Sequence, residues 1–368
     1  MLKIIEPCIL LVLLILLSPG CNENKSEISI RITPSELLNE KIYLKDIASD
    51  IKYIPLDDHV ILSTIRSTDI CEDFILIDTY TSILKYDIEG NYLMEICKVG
   101  NAPGELSRQY YFDIDNSTGN IYILGRNIIK VYNKNGDLLR QFPTYESRIF
   151  SGITFFNDRL YFSDNSTLQL SDYDWLVSDA MGNIIDFKVN AFENFSTEVS
   201  IRSNQFFERN NGIYYWGHLG DTIYELRNGG AIPFAVYIQD EYRFNINELL
   251  NGEYDVVTSD TWMQNDMIGT DKFLFLRYSH LKDFSKYYTV YDIQNKRFVL
   301  LDKASSYNWN VGLENGIDSN LKFFPKSKIR INNKEYLVDW IDAMYVINEV
   351  NSDNFKDMKT DFPERNPC

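Results

Sequence analysis

Histidine is the first residue to examine for chemistry, because imidazole titrates near neutrality and ligates metals. The chain holds three: His59, His218 and His280. His218 lies in Trp216-Gly217-His218-Leu219-Gly220-Asp221 and His280 in Tyr278-Ser279-His280-Leu281-Lys282. Each stands between two apolar runs and reads as a loop residue. Two loop histidines without a third partner fall short of a metal centre, so no metal, cofactor or catalytic residue is assigned. They read as surface residues or as weak ligand contacts. Gly100-Asn101-Ala102-Pro103-Gly104-Glu105 is rich in Gly and Pro but lacks the Gly-Lys-Ser/Thr of a phosphate loop. It reads as a tight turn, with Arg108 placed just beyond it to face a ligand. Asp113-Ile114-Asp115-Asn116-Ser117-Thr118-Gly119 has its Gly one place late for a calcium loop and no closing Glu. It reads as a hairpin turn. No Gly-x-Ser-x-Gly elbow occurs, and no carboxylate pair stands out among 53 acidic residues. Carboxylates gathered from distant strands leave no local motif, so sugar hydrolysis stays open as an alternative.

These residues must be positioned by a repeated unit. Ile83–Glu95, Ile128–Phe142 and Trp175–Val189 each read as an apolar run, a polar turn with Gly, and a second apolar run. That is a β-hairpin pattern. The turn glycines Gly90, Gly136 and Gly182 are spaced by 46 and 46 residues, and Gly229 follows after 47. Such a period, with several strands per unit, predicts propeller blades. Four blades are expected between 67 and 238, and an insertion over 239–270. Blade five resumes at Phe273–Tyr278. A sixth is expected from 304 to 350, with strands at Ile329–Ile331, Glu335–Trp340 and Met344–Asn348. A propeller must hide its terminal edges, and Ile51–Leu56 is the expected closing strand. Thr33-Pro34-Ser35-Glu36 predicts a helical turn through Leu38. The predicted fold is therefore all-β, a six-bladed propeller over 41–350, with a tether and arm at 21–40 and a tail at 351–368.

The net charge of −17 argues against nucleic acid as a partner. At the N-terminus, Lys3 precedes the apolar run Cys8–Leu17, then Ser18-Pro19-Gly20-Cys21. The run is too short for a spanning helix and suits an export signal over residues 1–20. A small residue followed by Cys resembles the lipobox of bacterial lipoproteins, which implies lipidation at Cys21 and a membrane anchor. Leu17 sits one place further from the Cys than the usual motif has it. Of the other cysteines, Cys71 and Cys97 fall on the first and last strands of one expected blade, too far apart to bridge, and read as buried thiols.

With Cys21, Ile51-Lys52-Tyr53-Ile54-Pro55-Leu56 and the 100–105 loop in view, the chain resembles the six-bladed β-propeller lipoproteins of Gram-negative bacteria, relatives of NHL-repeat propellers. The family's loop is Gly-x-Gly-Pro-Gly-Glu followed by an aromatic. Here Ala102 replaces the Gly and Leu106 the aromatic. In such a ring the loops between second and third strands open on one face. Tyr80, Arg126, His218 and His280 are thus expected on one rim with the 100–105 loop and Arg108. Equivalent faces in NHL-type enzymes hold metal and substrate. The expected function is an outer-membrane binding module, periplasmic or surface-facing, for a glycan, a peptide or another envelope protein. A lyase or hydrolase using the funnel is the alternative, and a purely structural envelope partner the third.

Overall fold

The computed structural model describes residues 30–57, 59–60, 62, 64–100, 105–106, 111–147, 150–164, 173–189, 205–217, 220–227, 230–238, 261–305, 310–317, 321–331 and 334–351. The arm comes first, with β1 (Ile30–Ile32), a 3-10 turn at Pro34–Glu36 and α1 (Leu44–Ile47). Blade one is β2 (Ser67–Ile70), β3 (Phe74–Asp78), β4 (Ser82–Asp87) and β5 (Tyr92–Lys98). Blade two is β6 (Tyr111–Asp115), β7 (Asn120–Leu124), β8 (Ile128–Tyr132) and β9 (Leu138–Pro143). Blade three is β10 (Phe150–Phe156), β11 (Arg159–Asp164), β12 (Tyr173–Asp179) and β13 (Ile184–Val189). Blade four is β14 (Gln205–Arg209), β15 (Gly212–Trp216), β16 (Thr222–Arg227) and β17 (Gly230–Tyr237). Blade five is β18 (Trp262–Gly269), β19 (Phe273–His280), β20 (Lys286–Asp292) and β21 (Arg297–Ala304). A two-stranded sheet, β22 (Ser327–Ile331) and β23 (Lys334–Val338), and the helix α2 (Ala343–Val350) follow.

Every blade is an antiparallel meander, and the first strands meet in the sequence β2, β6, β10, β14, β18, β22 and back to β2. The middle strands are buried almost end to end, as for Phe74–Asp78 and Ser82–Asp87, because neighbouring blades cover both faces. The core lies between blades. Leu76 and Ile83 of blade one pack with Ile114 and Ile121 of blade two, and Trp216 and Tyr237 of blade four with Leu274 and Tyr278 of blade five. The repeated turn has a local cause. Asp87 Oδ1 accepts the backbone N–H groups of Glu89 and Asn91, and Asp179 Oδ1 those of Met181 and Asn183. Asn133 plays the same part toward Asn135 and Asp137. The Gly three places on takes φ of +94°, +85° or +91°, where a side chain is strained. The fourth turn glycine, Gly229, lies outside the described residues.

Five blades are present where six were expected. The expected sixth has only β22 and β23 among the described residues. Its third strand, Met344–Asn348, is helical, with Asp342 accepting the N–H of Met344 at 2.8 Å as N-cap. The expected insertion also ends early, since 262–269 is the first strand of blade five. Ile51–Leu56 is not a strand. It lies along blade one, where Asp57 N–H donates to Gly90 O at 2.8 Å and Ile54 and Leu56 pack on the cluster around Tyr86. The arm instead adds β1 in parallel to β17, with Ile30 beside Ala235 and Ile32 beside Tyr237. Leu38 then bridges Val299 of blade five, and Tyr43 bridges Glu314. The turn at 34–36 forms without a side-chain bond from Thr33.

Candidate functional site

Of the expected rim residues, Tyr80 and Arg126 lie on turns between second and third strands, and His280 ends a second strand. Tyr80 is 59% exposed and takes φ 69°, its N–H donating to Asp78 Oδ1 at 2.9 Å. Its ring lies 5.3 Å from the Arg66 guanidinium, which also lies 5.4 Å from the ring of Tyr111 and pairs with Asp78. Arg126 is exposed in the turn after β7. His280 ends β19 with Nδ1 2.7 Å from Asp283 Oδ1. Hydrogen bonds from Ser285, then from His280, hold the Asp283 carboxyl well below the usual range. The structure thus joins Tyr80 to Arg66, Asp78 and Tyr111, and His280 to Asp283. His218, Arg108, Cys21 and residues 101–104 lie outside the described residues. The rest of the loop is a close crossing. Gly100 N–H donates to Leu106 O, and Leu106 N–H to Lys98 O, both at 3.0 Å, with the Leu106 side chain buried. Cys71 and Cys97 are both buried, and burial pushes both thiols up.

The opposite face holds an arrangement that sequence reading missed. Around the axis, where β2, β6, β14 and β22 converge, a cavity of about 70 Å³ is lined by Asp69, Asp113, Glu208, Lys328 and Arg330. The turns closing this end join first to second strands, so they lie across the ring from Tyr80 and His280. Each acid sits on the first strand of a different blade. The cations come from β22 and are held by β23. Lys328 Nζ donates to Glu208 O at 2.6 Å and to Glu335 Oε1 at 3.2 Å. Arg330 donates to the same Glu335 oxygen at 3.1 Å and to Asn211 Oδ1 of blade four. Burial alone would raise the Glu335 carboxyl, but these two cations hold it low.

The three channel acids behave oppositely. Burial raises Asp69, Asp113 and Glu208, and Asp113 rises furthest because the charge and hydrogen bonding of Asp69 add to its burial. Asp113 Oδ2 accepts the N–H of Phe155 at 2.5 Å, tying the pair to blade three. Asp69 Oδ1 accepts its neighbour's N–H at 2.8 Å, and its buried carboxyl shares a side-chain hydrogen bond with Asp113. The cavity therefore sets two adjoining carboxyls, both raised by burial, on one wall against fixed cations on the other. Such a lining suits a hydroxyl group, which both donates and accepts, or an ammonium, which donates to the carboxyls. No group of three or more His, Cys, Asp or Glu among the described residues is arranged to hold a metal ion. The signal in the sequence was weak: Asp69-Ile70 and Asp113-Ile114 recur 44 residues apart on two first strands.

A sequence profile described as a domain of unknown function, DUF4934, matches residues 28–368. The chain belongs to the DUF4934 family. No curated protein matches it. Among solved structures, this DUF4934 chain resembles a protein of Bacteroides fragilis described as exported, with TM-score 0.59, 17% identity, and 74% of this chain and 79% of that one covered. A DUF4221 member of Bacteroides vulgatus aligns at TM-score 0.48 and 10% identity over 68% and 84% of the two chains. The extracellular domain of a one-component system from Bacteroides thetaiotaomicron aligns at 0.41 and 12%, over 69% and 29%. These likenesses concern the fold.

Proposed function

We propose that this DUF4934 protein is an exported, lipid-anchored binding module whose ligand site is the axial cavity. The ligand is a glycan or peptide that inserts a hydroxyl- or amine-bearing group between the Asp69–Asp113 pair and the Lys328–Arg330 wall. The gathering of these partly buried charges around one cavity carries the reading. Three acids and three cations, Arg209 among them, around a cavity cost stability, and an apolar lining would hold the blades together better. Export rests on the N-terminal signal pattern and gains support from the exported description of the B. fragilis neighbour. Anchoring rests on Cys21, and kinship to NHL propellers rests on the loop and repeat pattern. β22–β23 serves as a shortened sixth unit, since β22 touches both β18 and β2.

The test is calorimetric titration of a glycan and peptide panel into the protein and into Asp113→Asn and Lys328→Met variants. Binding that weakens roughly tenfold or more in both variants, about 1.4 kcal/mol, is expected. A ligand bound equally by all three sinks the cavity as the site. The carboxyl pair also favours one second reading, a hydrolase in which one member is acid and the other base. That reading requires turnover of the bound ligand, lost in Asp113→Asn while affinity remains.

A further inference from the structure

We propose that the outer edge of blade three seats a second copy of this chain, paired antiparallel through β13 about Phe187. β13 ends its sheet, pairing with β12 alone among the described residues. Its outward row is Ile185, Phe187 and Val189, exposed by 48%, 52% and 52%. A long apolar row on an open edge invites another strand.

The other outer strands are protected. β17 is covered by β1. β21 takes Leu38, whose N–H donates to Phe298 O at 2.8 Å while its carbonyl accepts from Leu300 N–H at 2.9 Å. β5 interrupts its exposed row with Glu95 after Leu93. β9 carries Pro143, which has no N–H to give. β23 sets Lys334 in its exposed row. Only β13, among the described outer strands, presents three apolar residues without a charge.

The sequence of β13 is also complementary to itself. Antiparallel pairing centred on Phe187 sets Ile185 opposite Val189 of the second copy and Phe187 opposite its equivalent. It also sets Asp186 opposite Lys188 of the second copy. Apolar residues therefore meet on one face and opposite charges on the other, in both halves of a two-fold contact. The ladder to β12 is regular over Asp186–Lys188, and Ile185 stands unpaired at the register shift before it, so the pairing is best defined at this centre. Lys188 is oriented by Asp174 at 2.9 Å and lies 5.0 Å from the Trp175 ring. One-residue slippage would set Asp186 against an apolar neighbour and lose the charge pairing.

The test uses the exported chain, lipid-free, in a Cys21→Ser, Cys368→Ser background, with Cys71 and Cys97 buried. Sedimentation equilibrium is expected to show a dimer, weakened at least tenfold in Phe187→Lys. Directly opposed positions have Cβ atoms about 5 Å apart, whereas Ile185 and its own equivalent are separated by about 13 Å along the strands. Phe187→Cys should therefore form a disulfide-linked dimer under mild oxidation. Ile185→Cys alone should not, but Ile185→Cys mixed with Val189→Cys should. A monomer at every concentration overturns the proposal and leaves this edge to another chain. Equal cross-linking of Phe187→Cys and Ile185→Cys overturns the register, and with it the self-complementary contact.

Discussion

Blades three and four are built from the same four-stranded unit, yet their outer edges meet opposite fates. On blade four the arm supplies β1, and Ile32 becomes fully buried beside Tyr237 and Trp216. On blade three no strand of the described chain arrives, and Phe187 stays half exposed. The difference does not come from the blades. It comes from where the arm runs: past blade four at Ile30–Ile32, blade five at Leu38, the region of Glu314 at Tyr43, and blade one at Asp57. That path spans the part of the ring where the described residues form only the two-stranded β22–β23 sheet. Closure is thus achieved from outside, by one extended segment bridging the weakest seam, and the blades away from the seam keep open edges.

The sharpest way to break this contrast is to make one change on both edges. Ile32→Asp places an unpaired carboxylate in a filled core and should cost more than about 4 kcal/mol, or abolish soluble protein. Ile185→Asp should change the stability of the monomer by less than about 0.5 kcal/mol. Urea midpoints at low protein concentration measure both. Similar losses would mean that the arm is not holding the seam. A smaller contrast concerns the turns. A Cβ on Gly182 would sit 2.5 Å from the Phe142 ring at φ +91°, whereas one on Gly230, at φ +149°, meets nothing within 4 Å. Gly182→Ala should cost roughly 2–3 kcal/mol, from strain and overlap together. Gly230→Ala should cost about 1 kcal/mol, from backbone strain alone. Equal costs would show that the turn of blade three does not nest on blade two.

The hairpin period was legible because the Asp87, Asn133 and Asp179 turns are local devices, each built within five residues. Blades one to four follow from it. β18 was not legible, because Gln264-Asn265-Asp266 interrupts its apolar alternation at a register shift. The helix at 343–350 was mistaken for a strand because Met344, Tyr345 and Ile347 satisfy either pattern over so short a run. The axial acids are harder still. Asp69, Asp113 and Glu208 become neighbours only once the ring closes, and nothing in their local sequence announces it. Loop histidines drew attention to one rim, while the buried charges gathered at the other end of the axis.

Covered and open positions also differ in how they answer to pH. Asp113 lies inside the ring with its carboxyl raised, so above about pH 4 the native state binds more protons there than the unfolded chain. Its contribution therefore declines as pH rises from the ordinary aspartate value through the raised one. Asp113→Asn removes that slope. The variant should gain on the parent as pH rises above the ordinary aspartate value, read from urea midpoints. Asp283 on the open rim should behave with the reverse sign. Its carboxyl is held low, so its stabilisation is present above the ordinary value and fades as pH falls through the lowered one. Solvent screens that site, so the effect of Asp283→Asn should be the smaller of the two. A pH-independent difference between the parent and Asp113→Asn would mean that the pair is solvated like a surface carboxylate, and the axial cavity would lose the buried charge that distinguishes it from the rim.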